Sequence, residues 1–91
     1  MDFVFEWDEV KARQNARRHR VTFAEAVSVF SDPYLVTFPD DEHSVVEDRF
    51  ISIGQSDRGR VLLVVHTDRG DAIRLISCRK ATAAERTTYE Q

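Results

Sequence analysis

The chain has 91 residues, 42% of them hydrophobic and 32% charged, with 13 Lys and Arg against 16 Asp and Glu for a formal net charge of −3. That length supports one hydrophobic core and a single domain, residues 1–91, and falls short of two. A lone cysteine, Cys78, excludes an internal disulfide, and the longest apolar run, Val61 to Val65, is far below the ~20 residues a membrane-spanning helix needs.

The N-terminal run MDFVFEWDEV lacks the basic start and apolar centre of a signal peptide, so a cytoplasmic protein is expected. With few glycines and prolines and no low-complexity stretch, the chain reads as ordered almost throughout. The charge is unevenly placed. Lys11, Arg13, Arg17, Arg18, His19 and Arg20 lie in a stretch, residues 10–24, that contains no acid. Asp40, Asp41, Glu42, Glu47 and Asp48 crowd together further on, which predicts one positive and one negative face.

In chain order, Phe3, Phe5 and Trp7 alternate with Val4 and Glu6, as in a short strand or extended lead-in. Asp8 is a good N-cap for a helix over 8–19, on which Lys11, Asn15, Arg18 and His19 form one polar stripe over a thin apolar contact. Thr22 and Glu25 have capping-box spacing, and Phe23, Ala26, Val27 and Phe30 recur at helical intervals, predicting a second helix over 23–30 that stops before Pro33. Four strands follow: Tyr34 to Phe38, Arg49 to Gln55, Val61 to Thr67 and Ala72 to Arg79. Residues 56–60 and 68–71 read as glycine-bearing hairpin turns. The strand from Val61 is apolar on both faces and therefore central, while the strand from Ala72 alternates less cleanly. Thr82 and Glu85 form a further capping box, opening a C-terminal helix over 82–90. The fold class is α+β: an antiparallel sheet of about four strands plus a short N-terminal strand, packed with two N-terminal helices and one C-terminal helix.

No phosphate-cradling glycine loop, CxxC, HExxH or GxSxG motif occurs, which argues against cofactor and metal enzymes. His19, His43 and His66 have no metal-ligand spacing and read as unrelated. Arg74 and Arg79 lie along a half-buried strand, where a guanidinium needs a carboxylate, a carbonyl or a bound anion. The plain reading is a structural ion pair such as Glu47 with Arg74, and for Trp7 a packing role. Taken together, strand arginines, a basic helix with Lys11 and His19, and an aromatic such as Trp7 or Tyr89 supply what a phosphodiester backbone and an unstacked base require.

Phe5, Trp7, Asp8, Lys11, Asn15, Arg18 and His19, then Thr22, Phe23, Glu25 and Ala26, then Phe30, Asp32 and Pro33, then Glu47, Arg49 and Gly54, then Ile73, Arg74, Ile76, Ser77 and Arg79, with Ala81, Glu85, Arg86 and Tyr89, stand at matching spacings. In these positions, spanning almost the whole chain, the sequence resembles the BrnT toxins of bacterial type II toxin-antitoxin modules, which look like members of the wider RelE-like ribonuclease fold. Two positions depart from the pattern. The residue after the histidine, usually glycine in the family, is Arg20, which weighs against a tight glycine turn between the first two helices and adds a positive charge. The Ser-Ala-Arg of the last strand is Ser77-Cys78-Arg79.

The resemblance implies an mRNA-cleaving endoribonuclease that arrests translation. It also implies a co-transcribed BrnA-like ribbon-helix-helix antitoxin that neutralises the toxin, the hetero-oligomer repressing its own operon. Cleavage is expected to proceed by attack of the substrate's own 2′-OH, without metal or cofactor. Arg49, Arg74 and Arg79 are expected to hold the phosphate, with His19 or Glu47 moving the proton. Trp7, Lys11, Asn15, Arg18, Arg86 and Tyr89 are expected to bind RNA. The competing class is a non-catalytic α+β binding module, or a degenerate toxin, that only contacts a partner protein through the basic helix.

Overall fold

A computed structural model describes residues 3–43 and 47–91. The elements run β1 (Val4–Glu6), α1 (Glu9–His19), α2 (Phe23–Ser28), β2 (Val36–Pro39), β3 (Arg49–Gln55), β4 (Val61–Arg69), β5 (Ala72–Lys80) and α3 (Ala83–Glu90). Short 3₁₀ turns cover Val29–Ser31 and Asp41–His43. The strands form one sheet in the order β1-β5-β4-β3-β2. β2 to β5 pair antiparallel as expected, but β1 lies parallel to β5, so the sheet is mixed.

Local chemistry accounts for the boundaries. Asp8 caps α1 by accepting a hydrogen bond from the Lys11 amide at 3.0 Å, and Arg17, Arg18 and His19 occupy the last turn, where the helix dipole favours cations. The predicted second helix tightens after Ser28 into the 3₁₀ turn. Asp32 then takes over: its side chain accepts from the Tyr34 amide at 2.9 Å and its carbonyl from the Leu35 amide, holding Tyr34 in a turn so that β2 starts only at Val36. β4 and β5 continue to Arg69 and from Ala72, leaving a two-residue connection in which Gly70 has φ 60°. Half of the segment expected to be a four-residue turn, Asp68 and Arg69, is therefore strand.

Thr22 caps α2 through the Glu25 amide at 3.0 Å, but only half of the expected capping box forms. The Glu25 side chain, 6% exposed, turns instead to the β3–β4 loop, accepting from Ser56 Oγ at 2.7 Å and from Arg60 Nε at 3.0 Å and Nη2. A buried carboxylate survives there because two donors on Arg60 and one on Ser56 compensate its charge. The box at α3 is complete, with Thr82 and Glu85 capping reciprocally.

One face of the sheet carries the core, Val21, Phe23, Ala26, Val29, Leu62, Val64, Leu75 and Cys78, with Phe5, Trp7, Phe30, Leu35 and Ile73 around it. Each large side chain of this set contributes about 1.5–3 kcal/mol on burial. α3 packs against β3, on the face that carries Leu63 and Arg79, the latter bonded to Glu85 of α3. Gly54 permits the close fit between β3 and the segment after α2, since a Cβ there would stand 2.8 Å from Leu35 Cδ1 and 3.2 Å from Val29 Cβ.

Candidate active site

β1 ends at Glu6, opposite Arg74, so beyond that point no strand among the described residues lies on the outer side of β5. α1 runs along that edge, and Asn15 closes it. Its Oδ1 accepts from the Cys78 amide at 3.1 Å, while Nδ2 donates to the carbonyls of Cys78 at 2.9 Å and Val21 at 3.0 Å. A side-chain amide thus supplies the donor and acceptor of a missing strand, satisfying backbone groups that burial would otherwise orphan. Asn15, 7% exposed, is therefore not part of an outward polar stripe as predicted; its amide is spent inside the protein. Burial beside it pushes the Cys78 thiol up to about 12, so this cysteine is an inert packing group.

The docking of α1 on β5 creates two adjoining depressions. The smaller, about 160 Å³, is lined by Asp8, Lys11, Glu47, Arg49, Arg69, Arg74, Leu75 and Ile76. The larger, about 300 Å³, is lined by Lys11, Gln14, Asn15, Arg18, His19, Ile76 and Ser77. Lys11 and Ile76 belong to both and form the wall between them. Ile76 owes its place to a β-bulge, because Ser77 pairs with Val65 and Leu75 with His66, leaving Ile76 as the extra residue.

Strand register explains how the arginines converge. Arg49 on β3 stands opposite Thr67 on β4, which stands opposite Arg74 on β5, which stands opposite Glu6 on β1. Paired residues share a face, and the neighbouring His66 points the other way, onto Phe30. The Arg49–Thr67–Arg74 row therefore lies on the face away from α2 and the core, where Lys11 of α1 reaches it from the sheet edge. Arg69, two residues from Thr67, shares it. Four cations and two carboxylates line the small pocket, and both acids are engaged. Asp8 caps α1, the hydrogen bond from the Lys11 amide holding its carboxyl below the usual range, and Glu47 pairs with Arg69 at 3.7 Å. Arg74 meets Glu6 at 3.8 Å, not Glu47 as the plain reading had it.

The structure thus brings Lys11, Glu47, Arg49 and Arg74 together and sets His19 and Arg18 in the neighbouring groove. His19 is eight residues from Lys11, about 12 Å along the helix. The remaining expected residues lie elsewhere. Arg79 is clamped by Glu85 through bonds of 2.7 and 2.9 Å, which hold that carboxyl down at about 2 and fasten α3 to β5. Arg86 is exposed near Glu90, and the Tyr89 hydroxyl donates to Asp32 at 2.5 Å. Trp7 packs edge-on against Phe23, its indole N–H donating to Glu9 at 3.1 Å. Arg69 was missed because its segment was read as turn; extending the alternation of β4 by two residues would have placed it beside Arg49 and Arg74.

The fold and this pocket define a small α+β protein with a cation-lined site where α1 meets the sheet. A family profile described as the ribonuclease toxin, BrnT, of type II toxin-antitoxin systems matches residues 7–85, and the chain belongs to that family. It is similar to the crystal structure of the Brucella abortus ribonuclease toxin BrnT, with 26% identity and a TM-score of 0.69 over 89% of this chain and 99% of that one. No curated protein matches. As a member of a type II toxin family, the chain implies an antitoxin partner. No helix among the described residues is long and apolar enough to cross a membrane.

Proposed function

We propose that this protein is an endoribonuclease that cleaves mRNA by attack of the 2′-OH on the adjacent phosphate, arrests translation, and is held inactive by a BrnA-like ribbon-helix-helix antitoxin. The observation that carries this reading is the convergence of Lys11, Arg49, Arg69 and Arg74 on one small pocket. At about 160 Å³ it is smaller than the roughly 300–1,000 Å³ of clefts for drug-sized ligands and suits a single phosphate group. The adjoining groove has room for a neighbouring nucleotide, with Arg18 and His19 along it.

In the proposed reaction the O2′–P bond forms and the P–O5′ bond breaks, leaving a 2′,3′-cyclic phosphate and a 5′-hydroxyl. Arg49 and Arg74 hold the non-bridging oxygens in bidentate fashion and stabilise the charge of the phosphorane. Glu47, already beside these arginines, takes the 2′ proton. Lys11, on the wall between pocket and groove, faces the leaving oxygen and gives it the proton, while His19, farther along α1, holds the neighbouring nucleotide in the groove. These side chains supply the charge neutralisation such a transition state needs, so the reaction is proposed to run without metal.

Induction of the chain in bacteria lacking the antitoxin is expected to stop growth and shorten transcripts. Arg74→Ala, a half-exposed position whose loss leaves the core intact, is expected to abolish both effects at equal protein level. Wild-type protein that accumulates without slowing growth would contradict the reading, and a soluble Arg74→Ala that remains equally toxic would contradict the site.

A further inference from the structure

Thr67 stands between the two arginines of the row, facing Arg49 on one side and Arg74 on the other. It is 1% exposed, and its hydroxyl has no hydrogen-bond partner among the described residues. A buried hydroxyl left unbonded carries a desolvation cost that valine, of the same shape and equally suited to a strand, would not. The position of this unspent group is informative. Adjacent strands lie about 4.8 Å apart, so the Cα atoms of Arg49 and Arg74 are separated by about 10 Å with Thr67 at the midpoint. A phosphate held by both guanidiniums would sit above Thr67.

Arg74 has an acceptor on either side of it. Outward across the strand pair is the Glu6 carboxylate, at 3.8 Å, a long contact. Inward is the unbonded Thr67 hydroxyl oxygen. A guanidinium presents donors along more than one edge, so it can serve a phosphate and a second acceptor together. We propose that Thr67 is a positioning residue for the phosphate-binding arginines: its hydroxyl oxygen accepts an N–H from Arg74 when that side chain swings from Glu6 to a phosphate lodged between Arg49 and Arg74. The phosphate then replaces Glu6 as the compensating charge, and Thr67 fixes the angle at which the guanidinium meets it. This rests on the ribonuclease reading above.

Thr67→Val removes the hydroxyl and keeps the volume; Thr67→Ser keeps the hydroxyl. Thr67→Val is expected to fold at least as stably as wild type and to cleave RNA with kcat lowered about tenfold and KM little changed, while Thr67→Ser recovers most of the rate. A Thr67→Val protein with wild-type kcat, or a Thr67→Ser protein as slow as Thr67→Val, overturns the proposal. If wild type cleaves no RNA, the ribonuclease reading fails, and Thr67 is judged by NMR of the Arg74 Nε–Hε resonance. A 2′-O-methyl RNA oligonucleotide, which cannot undergo 2′-OH attack, is the probe. A shift in wild type that is absent in Thr67→Val supports the positioning role, and equal shifts, or no shift in either, overturn it.

Discussion

Arg20 adopts φ 60° and ψ 31°, left-handed backbone that side chains other than glycine rarely occupy. It closes α1 with its amide donating to the Ala16 carbonyl at 3.0 Å, and its own carbonyl accepts from Arg60 Nη2 at 3.3 Å. A tight left-handed turn thus forms with an arginine in place, although the sequence reading weighed against a tight turn here. The turn survives because both ends of the residue are bonded to neighbours that do not depend on its side chain. Arg20→Gly is therefore expected to stabilise the fold by about 1 kcal/mol, read as a higher urea midpoint with unchanged slope. A lower midpoint would show that the arginine side chain contributes more than the strain costs. Asn15 illustrates the opposite limit of legibility. Its place in the motif was plain in the sequence, but helical spacing cannot tell a residue that faces solvent from one that replaces a strand along an open edge.

At the scale of elements, the periodic segments were legible because their patterns are strong: α1 with its Asp8 cap, β3 at both ends, the central β4 and the capping box of α3. What was not legible depends on long-range pairing. β1 has three residues and no pattern that could distinguish parallel addition beside β5 from an extended lead-in. The imperfect alternation of β5 was visible in the sequence, but only the register identifies it as a bulge at Ile76. Gly54 shows how tightly β3 is fitted to the segment after α2. Gly54→Ala would force Val29 and Leu35 aside and is expected to cost about 1–3 kcal/mol, measured by chemical denaturation. An unchanged midpoint would mean that this contact relaxes freely. The candidate site was legible as to Lys11, Glu47, Arg49 and Arg74, and not as to Arg69 and Thr67, whose contributions follow from the length of β4 and from its neighbours.

Over the whole molecule, the two-faced charge distribution read from the sequence is modified. Glu47, one of the clustered acids, meets Arg69 in the cation pocket, so part of the negative charge borders the site. Besides Asp8 at the start of α1, four groups have folded-state pKa values below their ordinary ones. Hydrogen bonds from Arg60 lower Glu25, and those from Arg79 lower Glu85 to about 2. Burial works against Asp32, but donation from the Gln55 amide and Tyr89 outweighs it, and burial lowers His66. A depressed folded value means that the unfolded chain binds protons first, so stability is fully present above the ordinary value and falls with pH below it. The loss begins below 6.5 with His66 and deepens below 4.5 as the carboxylates follow. The urea midpoint is expected to fall steadily from about pH 7 to about pH 3; a flat profile would contradict the ion-paired and buried assignments. On the alkaline side, Cys78 and Tyr89 are both raised to about 12, so stability declines as pH climbs above the ordinary thiol and phenol values.

The central claim is that side chains of the sheet and of α1 cleave RNA through its own 2′-OH. Purified protein freed of antitoxin, incubated with RNA in EDTA, tests it most directly. The account predicts fragments ending in 2′,3′-cyclic phosphate and 5′-hydroxyl, with Arg74→Ala at least about a hundredfold slower. Intact RNA, or cleavage that appears only when a divalent metal is restored, would contradict it.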